Sequence, residues 1–349
     1  MNNVLLVGSG WASSGFLKNI DTEKYNVSVI SPSPFFIYTP NIITSIFNSC
    51  LTRFNIKNIN PNIKYIKDKV EDVDFCNNNI TLKHSISKNK LTFDYLVLAH
   101  GSEINTFNIK GVKENCKFIK NNKDVDNLKK SIKNLSADAN VAVIGCSATG
   151  SELIGSLIDN TSFNLIAIDG LEKPLQNYKS NVSDLVLKTW KNNNVSLFFS
   201  NFVKKVDKTT IYFNNSKINY DIAIWCGGIK KTALSEKINL NLGLSCRFGI
   251  PVNNFLRVKK SDNVYAIGDC AYSNYVPTAQ VAYQQGKYLA NRFNNDFKTV
   301  PFNYNHKGKT CYVGNGVGVF ENEYYSGGGK IIGYLNKFIN FYNLRDFRK

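Results

Sequence analysis

Two glycine-rich turns, each directly behind a short apolar run and ahead of a helical stretch, limit what this 349-residue chain can fold into. The first run, Val4-Leu5-Leu6-Val7, has no helical period and reads as a buried parallel strand. Gly8-Ser9-Gly10-Trp11-Ala12-Ser13 follows, then a helix to Ile20 and a second strand, Val27-Ser28-Val29-Ile30. Strand, turn, helix and strand within about 30 residues is the order of a dinucleotide-binding unit. Gly8 permits the tight turn, and Gly10 lets the backbone approach a pyrophosphate. Ser13 stands where a third glycine lets helix and strand pack closely. The helix N-terminus offers unpaired N–H groups to the phosphates. Ser31 occupies the place of the usual ribose-binding acid, so backbone or other side chains are expected to hold that ribose.

The pattern recurs. Asn140-Val141-Ala142-Val143-Ile144 runs into Gly145-Cys146-Ser147-Ala148-Thr149-Gly150-Ser151-Glu152, then a helix through Ile158. The strand Leu165-Ile166-Ala167-Ile168 ends at Asp169, 24 residues beyond Gly145 and near the spacing of a ribose-binding acid. Ser147 replaces the second glycine. Its Cβ crowds a pyrophosphate, which leaves two outcomes open: binding with a shifted backbone, or no binding. Later, Asn263-Val264-Tyr265-Ala266-Ile267-Gly268-Asp269 reads as a strand that places a carboxylate at the carboxyl edge of a sheet. The fold class expected is α/β, with two Rossmann-like dinucleotide-binding domains.

Composition narrows the functions. No run of about 18 apolar residues exists, which excludes a spanning helix. The first strand begins at Val4, so no targeting peptide is visible. The three histidines, His84, His100 and His306, are too scattered for a His-built site, and no metal is expected. The eight cysteines form no CxxC pair, which disfavours zinc, thioredoxin-like and disulfide-reductase chemistry. A net charge of +17 raises nucleic acid as a partner. Lysine is scattered through an Asn/Lys/Ile-rich chain without a dense basic block, so no nucleic acid is expected; an anionic membrane surface is the weaker functional reading.

With these residues in view, the chain resembles the type II, non-proton-pumping NADH:quinone dehydrogenases, within the FAD-dependent pyridine nucleotide-disulfide oxidoreductases. The resemblance rests on Gly8 to Trp11 with Phe16-Leu17-Lys18, on Ile30-Ser31-Pro32 and Phe36 to Thr39-Pro40, and on Tyr95 to Ser102 with Gly101. It extends through Asn105 to Val112 and Trp225-Cys226-Gly227-Gly228. The most specific stretch is Pro277-Thr278-Ala279-Gln280-Val281-Ala282-Tyr283-Gln284-Gln285-Gly286, which is similar to the family's quinone-site helix start.

The resemblance implies FAD at Gly8, Ser9, Gly10, Trp11, Ala12, Ser31, Pro32, Thr39, Pro40, Gly101, Gly228, Gly268, Asp269, Ala279 and Gln280. NADH as substrate would lie on Gly145, Ser147, Gly150 and Asp169, with Glu152 near the nicotinamide–flavin contact. Gln280, Tyr283 and Gln284 would meet a quinone acceptor. A discontinuous FAD domain is expected over 1–115 and 246–300, with an NAD(H) domain, 116–245, inserted. A C-terminal region, 301–349, would supply a strand pair and a helix. Ile331, Leu335, Phe338 and Tyr342, with Phe341 near, share a face of that helix, and Arg345, Arg348 and Lys349 close a basic rim. That face suits either a membrane surface or the protein's own core. The expected place is the cytoplasm-facing or organelle-associated periphery of a membrane, otherwise the cytoplasm; the resemblance also allows a homodimer. Two alternatives are carried: a sulfide:quinone oxidoreductase using Cys116, Cys146 or Cys311, and an FAD-binding non-catalytic or sensing flavoprotein.

Overall fold

The computed structural model describes residues 1–84, 90–345 and 347. Two parallel five-stranded sheets dominate it. The first runs in the order Val264–Ala266, Tyr95–Leu98, Asn2–Val7, Tyr25–Ile30, Lys64–Ile66. In it Val4 faces Val27 on one side and Tyr95 on the other. The second runs Cys116–Phe118, Ile222–Trp225, Asn140–Ile144, Asn164–Ile168, Ser196–Phe198, with Val143 between Ala167 and Ile224. In both, the strand that feeds a glycine turn is central. Its residues are buried on both faces, which is why the runs are continuously apolar.

Each sheet carries the same accessory, a three-stranded antiparallel meander. One comprises Val70–Asp74, Asn79–Leu82 and Lys90–Thr92; the other comprises Lys205–Val206, Thr210–Tyr212 and Lys217–Asn219. The helices behind the turns, Trp11–Leu17 and Ala148–Asn160, are held by glycine contacts. A Cβ on Gly15 would lie 2.2 Å from the Tyr283 carbonyl oxygen, and one on Gly286 would lie 2.0 Å from that of Ala12. The first helix therefore packs backbone to backbone on the helix Ala279–Asn294. Gly155 does the same against the strand Lys309–Gly314, where a Cβ would sit 2.5 Å from the Gly314 nitrogen.

The C-terminal region differs from expectation by one strand. Ser326–Gly329 pairs with Val317–Glu321, which pairs with Lys309–Gly314, making a three-stranded sheet. This sheet packs on the second unit, where fully buried Trp190 donates its indole N–H to the Val313 carbonyl at 3.1 Å. A side chain of that size contributes on the order of 3 kcal/mol through burial. The helix Lys330–Arg345 turns Ile331, Leu335 and Phe338 outward, at 82%, 42% and 63% exposure. Gly333 and Asn336 face inward. These three apolar residues therefore do not cover the core. The side chains of Phe341, Tyr342 and Arg345, and residues Arg348 and Lys349, lie outside what is described. Phe347 returns to the first unit against Phe36, 4.8 Å between ring centroids, with the Lys18 ammonium over its ring.

Candidate functional site

Both glycine turns open into one cavity of about 2640 Å³ between the two sheets. That exceeds the ~1,000 Å³ upper range of single small-ligand pockets, so it has room for more than one ligand. All the residues expected to serve the sites line it except Gly145 and Gly150, which brace the second turn from behind. Neither helix has a capping side chain or a first-turn acid, so their first N–H groups face a ligand unopposed.

The first turn fits a pyrophosphate. Gly8 has φ +115°, and a Cβ there would stand 2.3 Å from the Ala99 carbonyl oxygen. Gly10 has open space where its Cβ would be. Ser13 replaces the third glycine and donates its hydroxyl to the Gly8 carbonyl at 2.9 Å. The Ser31 hydroxyl is 3.0 Å from that of Ser9, so the residue in the place of an acid is tied into the turn. Trp11 donates its indole N–H to the Thr39 hydroxyl at 2.8 Å, drawing the 38–41 segment over the turn. At the far strand end, Asp269 accepts from Ser102 at 3.0 Å, and the Lys120 ammonium donates to the same Ser102 hydroxyl at 3.1 Å. His100, also on the cavity, bonds the Ser235 hydroxyl through Nε2 at 2.9 Å. Its buried Nδ1 has no partner among the described residues, and burial pushes the imidazole down to about 4. An orphaned polar atom beside an open cradle fits a bound, polar-edged ligand.

The second turn has the same frame with one change. Gly145 has φ +96°, and a Cβ on it would lie 2.6 Å from the Cys226 carbonyl. A Cβ on Gly150 would lie 1.8 Å from the Gly145 carbonyl oxygen. Ser147 is exposed to the cavity, at the place equivalent to Gly10. Asp169 accepts from the Cys146 N–H at 2.6 Å and from the Leu171 N–H at 2.9 Å. Its carboxylate thus braces the turn while facing the cavity. Glu152 stands one turn into the helix. It has no hydrogen bond or ion pair among the described residues, and desolvation raises its carboxyl to about 8. Tyr178 and Cys311 are its electrostatic neighbours, and burial pushes both of them up.

At the opposite wall, Thr278 caps the helix Ala279–Asn294 by accepting from the Val281 N–H at 3.2 Å. Gln280 donates to the Gly308 carbonyl at 2.9 Å, and Gln284 donates to the Asn305 carbonyl at 2.8 Å. Both amides therefore grip the 302–308 loop. Gln285 is fully buried and accepts from the Gly268 N–H at 2.7 Å, fixing the Gly268–Asp269 turn.

Gln285, Lys120, Ser102, Tyr304 and His306 were not singled out as site residues from the sequence. Gln285 and Ser102 were visible only as members of longer stretches, the helix start and the Tyr95 to Ser102 run. The others are brought in by distant elements, and local patterning carries no signal for them. The cysteine alternative gains no support. Cys116 is pushed up to about 12, and Cys146 and Cys311 also rise, all chiefly by burial, whereas a nucleophilic thiol needs the reverse.

This fold, with two nucleotide turns facing one cavity, defines a two-unit dinucleotide-binding oxidoreductase. The chain belongs to the pyridine nucleotide-disulphide oxidoreductase family, whose model matches residues 2–286. It is 29% identical over 378 residues to a probable NADH dehydrogenase of Dictyostelium discoideum, covering 95% of this chain and 83% of that one. It is 28% identical over 358 residues to the mitochondrial external alternative NADH-ubiquinone oxidoreductase of Yarrowia lipolytica. That match covers 86% of this chain but only 60% of the relative's length. NDH2 from Plasmodium falciparum, solved in complex with NADH, shares the fold at a TM-score of 0.89 and 24% identity, over 99% of this chain and 97% of that one. The sulfide:quinone oxidoreductase of Aquifex aeolicus shares it at 0.81 and 16%, over 100% and 92%.

Proposed function

We propose that this protein is an FAD-dependent NADH:quinone oxidoreductase that does not pump protons. The observation that carries the reading is the single cavity onto which both glycine turns and the Gln280 helix open. Residues 1–115 and 246–300 form the FAD-binding domain, 116–245 the NADH-binding domain and 301–349 a C-terminal region. The relatives named NADH-ubiquinone oxidoreductases support the substrate pair.

FAD would be held by the Gly8–Ala12 turn, by Ser31, Pro32, Thr39 and Pro40 beside it, and by Gly101, Gly228, Gly268, Asp269, Ala279 and Gln280. When bound it supplies two-electron chemistry between donor and acceptor. The chain's residues orient the partners. Gly145, Ser147, Gly150 and Asp169 seat NADH, and Glu152 presents a protonated carboxyl near neutral pH beside the nicotinamide. The positive end of the Ala279–Asn294 helix faces the electron-rich side of the site. Gln280, Tyr283 and Gln284 bound the quinone end. The outward face of the terminal helix rests on a membrane surface, and among the described residues no helix is long and apolar enough to cross one. A homodimer completes the reading.

The test is anaerobic. The purified protein should be yellow, lose its visible absorbance on adding NADH and regain it on adding a quinone. A colourless protein that still cannot take up FAD overturns the reading.

A further inference from the structure

Resting on the quinone-reducing reading, we propose that Tyr304 and His306 deliver the proton at the acceptor end of the cavity, and that Gln280 and Gln284 are positioning residues that hold them there. The 302–308 loop has no regular structure, yet one helix face fixes it at two places. Gln280 donates to the Gly308 carbonyl at 2.9 Å. Gln284 makes a two-way clasp with Asn305, donating to its carbonyl at 2.8 Å and accepting its N–H at 3.0 Å. The two glutamines are four residues apart, so both amides leave the helix on the same side.

Within this clasp the Tyr304 hydroxyl lies 3.3 Å from the Gln280 Oε1 and 3.2 Å from the His306 Nδ1. It donates to Gln280, and in the proposed relay it accepts from the His306 Nδ1–H. The Tyr275 ring packs edge-on at 5.6 Å from that of Tyr304, and the Tyr304 N–H reaches the Tyr275 hydroxyl at 3.4 Å. Tyr304, His306 and Gln280 all line the cavity. Glu152 is grouped instead with Tyr178 and Cys311.

The reaction needs such a group. A quinone becomes a hydroquinone by taking two electrons and two protons. NADH supplies both electrons and one proton, and water must supply the other. The quinone oxygen takes the place of the Gln280 amide oxygen as acceptor of the Tyr304 O–H. The tyrosine proton forms the new O–H bond on the quinone as the His306 Nδ1–H bond breaks to replace it. The imidazole takes a proton from solvent at Nε2 as it gives up the one at Nδ1, so the relay balances.

The experiment uses full-length, FAD-loaded protein with NADH as donor and two acceptors, a soluble short-chain benzoquinone and ferricyanide, which takes electrons without protons. His306→Asn keeps a donor near the Nδ1 position but carries no transferable proton, and Tyr304→Phe removes the bridge. Each should slow quinone reduction by roughly a hundredfold, the low end for general acid catalysis. Each should leave the ferricyanide rate within about threefold of wild type, as expected when no proton transfer is needed. Quinone affinity, read by fluorescence quenching, should stay within about threefold for His306→Asn, because it loses no substrate contact. Added imidazole should restore quinone turnover to His306→Ala. Equal quinone rates in wild type and both variants, or equal losses with both acceptors, overturns the proposal. A wild-type protein that reduces ferricyanide but no quinone overturns the functional reading itself, and the proposal with it.

Discussion

The two nucleotide turns share one logic, and three of the positions at which they differ separate their roles. Both begin with a left-handed glycine, Gly8 or Gly145, wedged against a neighbouring strand's backbone. Two residues on, the first has Gly10 and the second Ser147. Five residues on, the first has Ser13 and the second Gly150. Seven residues on, the first has Gly15, buried against the Tyr283 carbonyl, and the second has Glu152, facing the cavity. The shared positions set the backbone. The divergent ones decide what each turn can do: the first spends its helix on packing and keeps a bare cradle, and the second gives its helix a titratable group and narrows the cradle. One frame can thus serve a permanently held ligand and an exchanging one.

The sharpest way to break the comparison is to attack what the turns share. Gly8→Ala and Gly145→Ala each force a Cβ into backbone at positive φ, and each should cost about 3 kcal/mol through strain and overpacking. Thermal melts check the cost. The ligand loss should separate: Gly8→Ala loses flavin colour, whereas Gly145→Ala stays yellow but no longer responds to NADH. If either variant loses both properties, the turns are not independent sites.

Glu152 sharpens the comparison at the next level, because the first helix has only Gly15 there. The folded carboxyl holds its proton up to about pH 8, against 4.5 for an unperturbed one. The unfolded chain therefore ionises first as pH rises, and this group's stabilisation is full below about 4.5 and declines until about 8. Glu152→Gln should remove that slope and gain about 2 kcal/mol relative to wild type at pH 9, discounted for water in the cavity. Urea melts at pH 5 and 9 measure it. Parallel pH dependence in both proteins would show that Glu152 is not the titrating group.

What the sequence made legible follows the same division. The central strands, the turns and the helices behind them are local patterns of apolar runs and glycine spacing, and they appear where those patterns put them, except that the first helix stops at Leu17 and not at Ile20. The helix start at Pro277-Thr278 was legible as a motif. The 302–308 loop was not, because Tyr304 reaches Gln280 across 24 residues without a periodic signal. Gln280 and Gln284 could be placed on one helix face from spacing alone, but their partners could not. The Lys120–Ser102–Asp269 chain joins three separate segments. The terminal helix showed an apolar face, and only packing through Gly333 and Asn336 decided that Ile331, Leu335 and Phe338 point away from the core.

A smaller effect is expected at the third position. Ser13 donates to the Gly8 carbonyl, the contact that the bare Gly150 makes by close approach to Gly145. Ser13→Gly loses one neutral hydrogen bond and adds backbone freedom, together about 1–2 kcal/mol. Flavin retention should be unchanged, because the hydroxyl points into the turn. Colour lost in step with stability would mean that Ser13 shapes the cradle itself.

The smallest effect belongs to Ser147, where the two turns differ most directly in the cradle. Its side chain faces the cavity and makes no hydrogen bond that caps its helix. Removing it should leave the melting temperature unchanged within about 1 °C, since Ser→Gly at an N-cap position costs only a few tenths of a kcal/mol. Ser147→Gly makes the second cradle like the first and lets a pyrophosphate approach more closely. The NADH dissociation constant should fall about fivefold, equivalent to about 1 kcal/mol. The opposite result, weaker binding, would mean that the Ser147 hydroxyl donates to the bound phosphate and that the second turn substitutes a side-chain donor for close backbone approach.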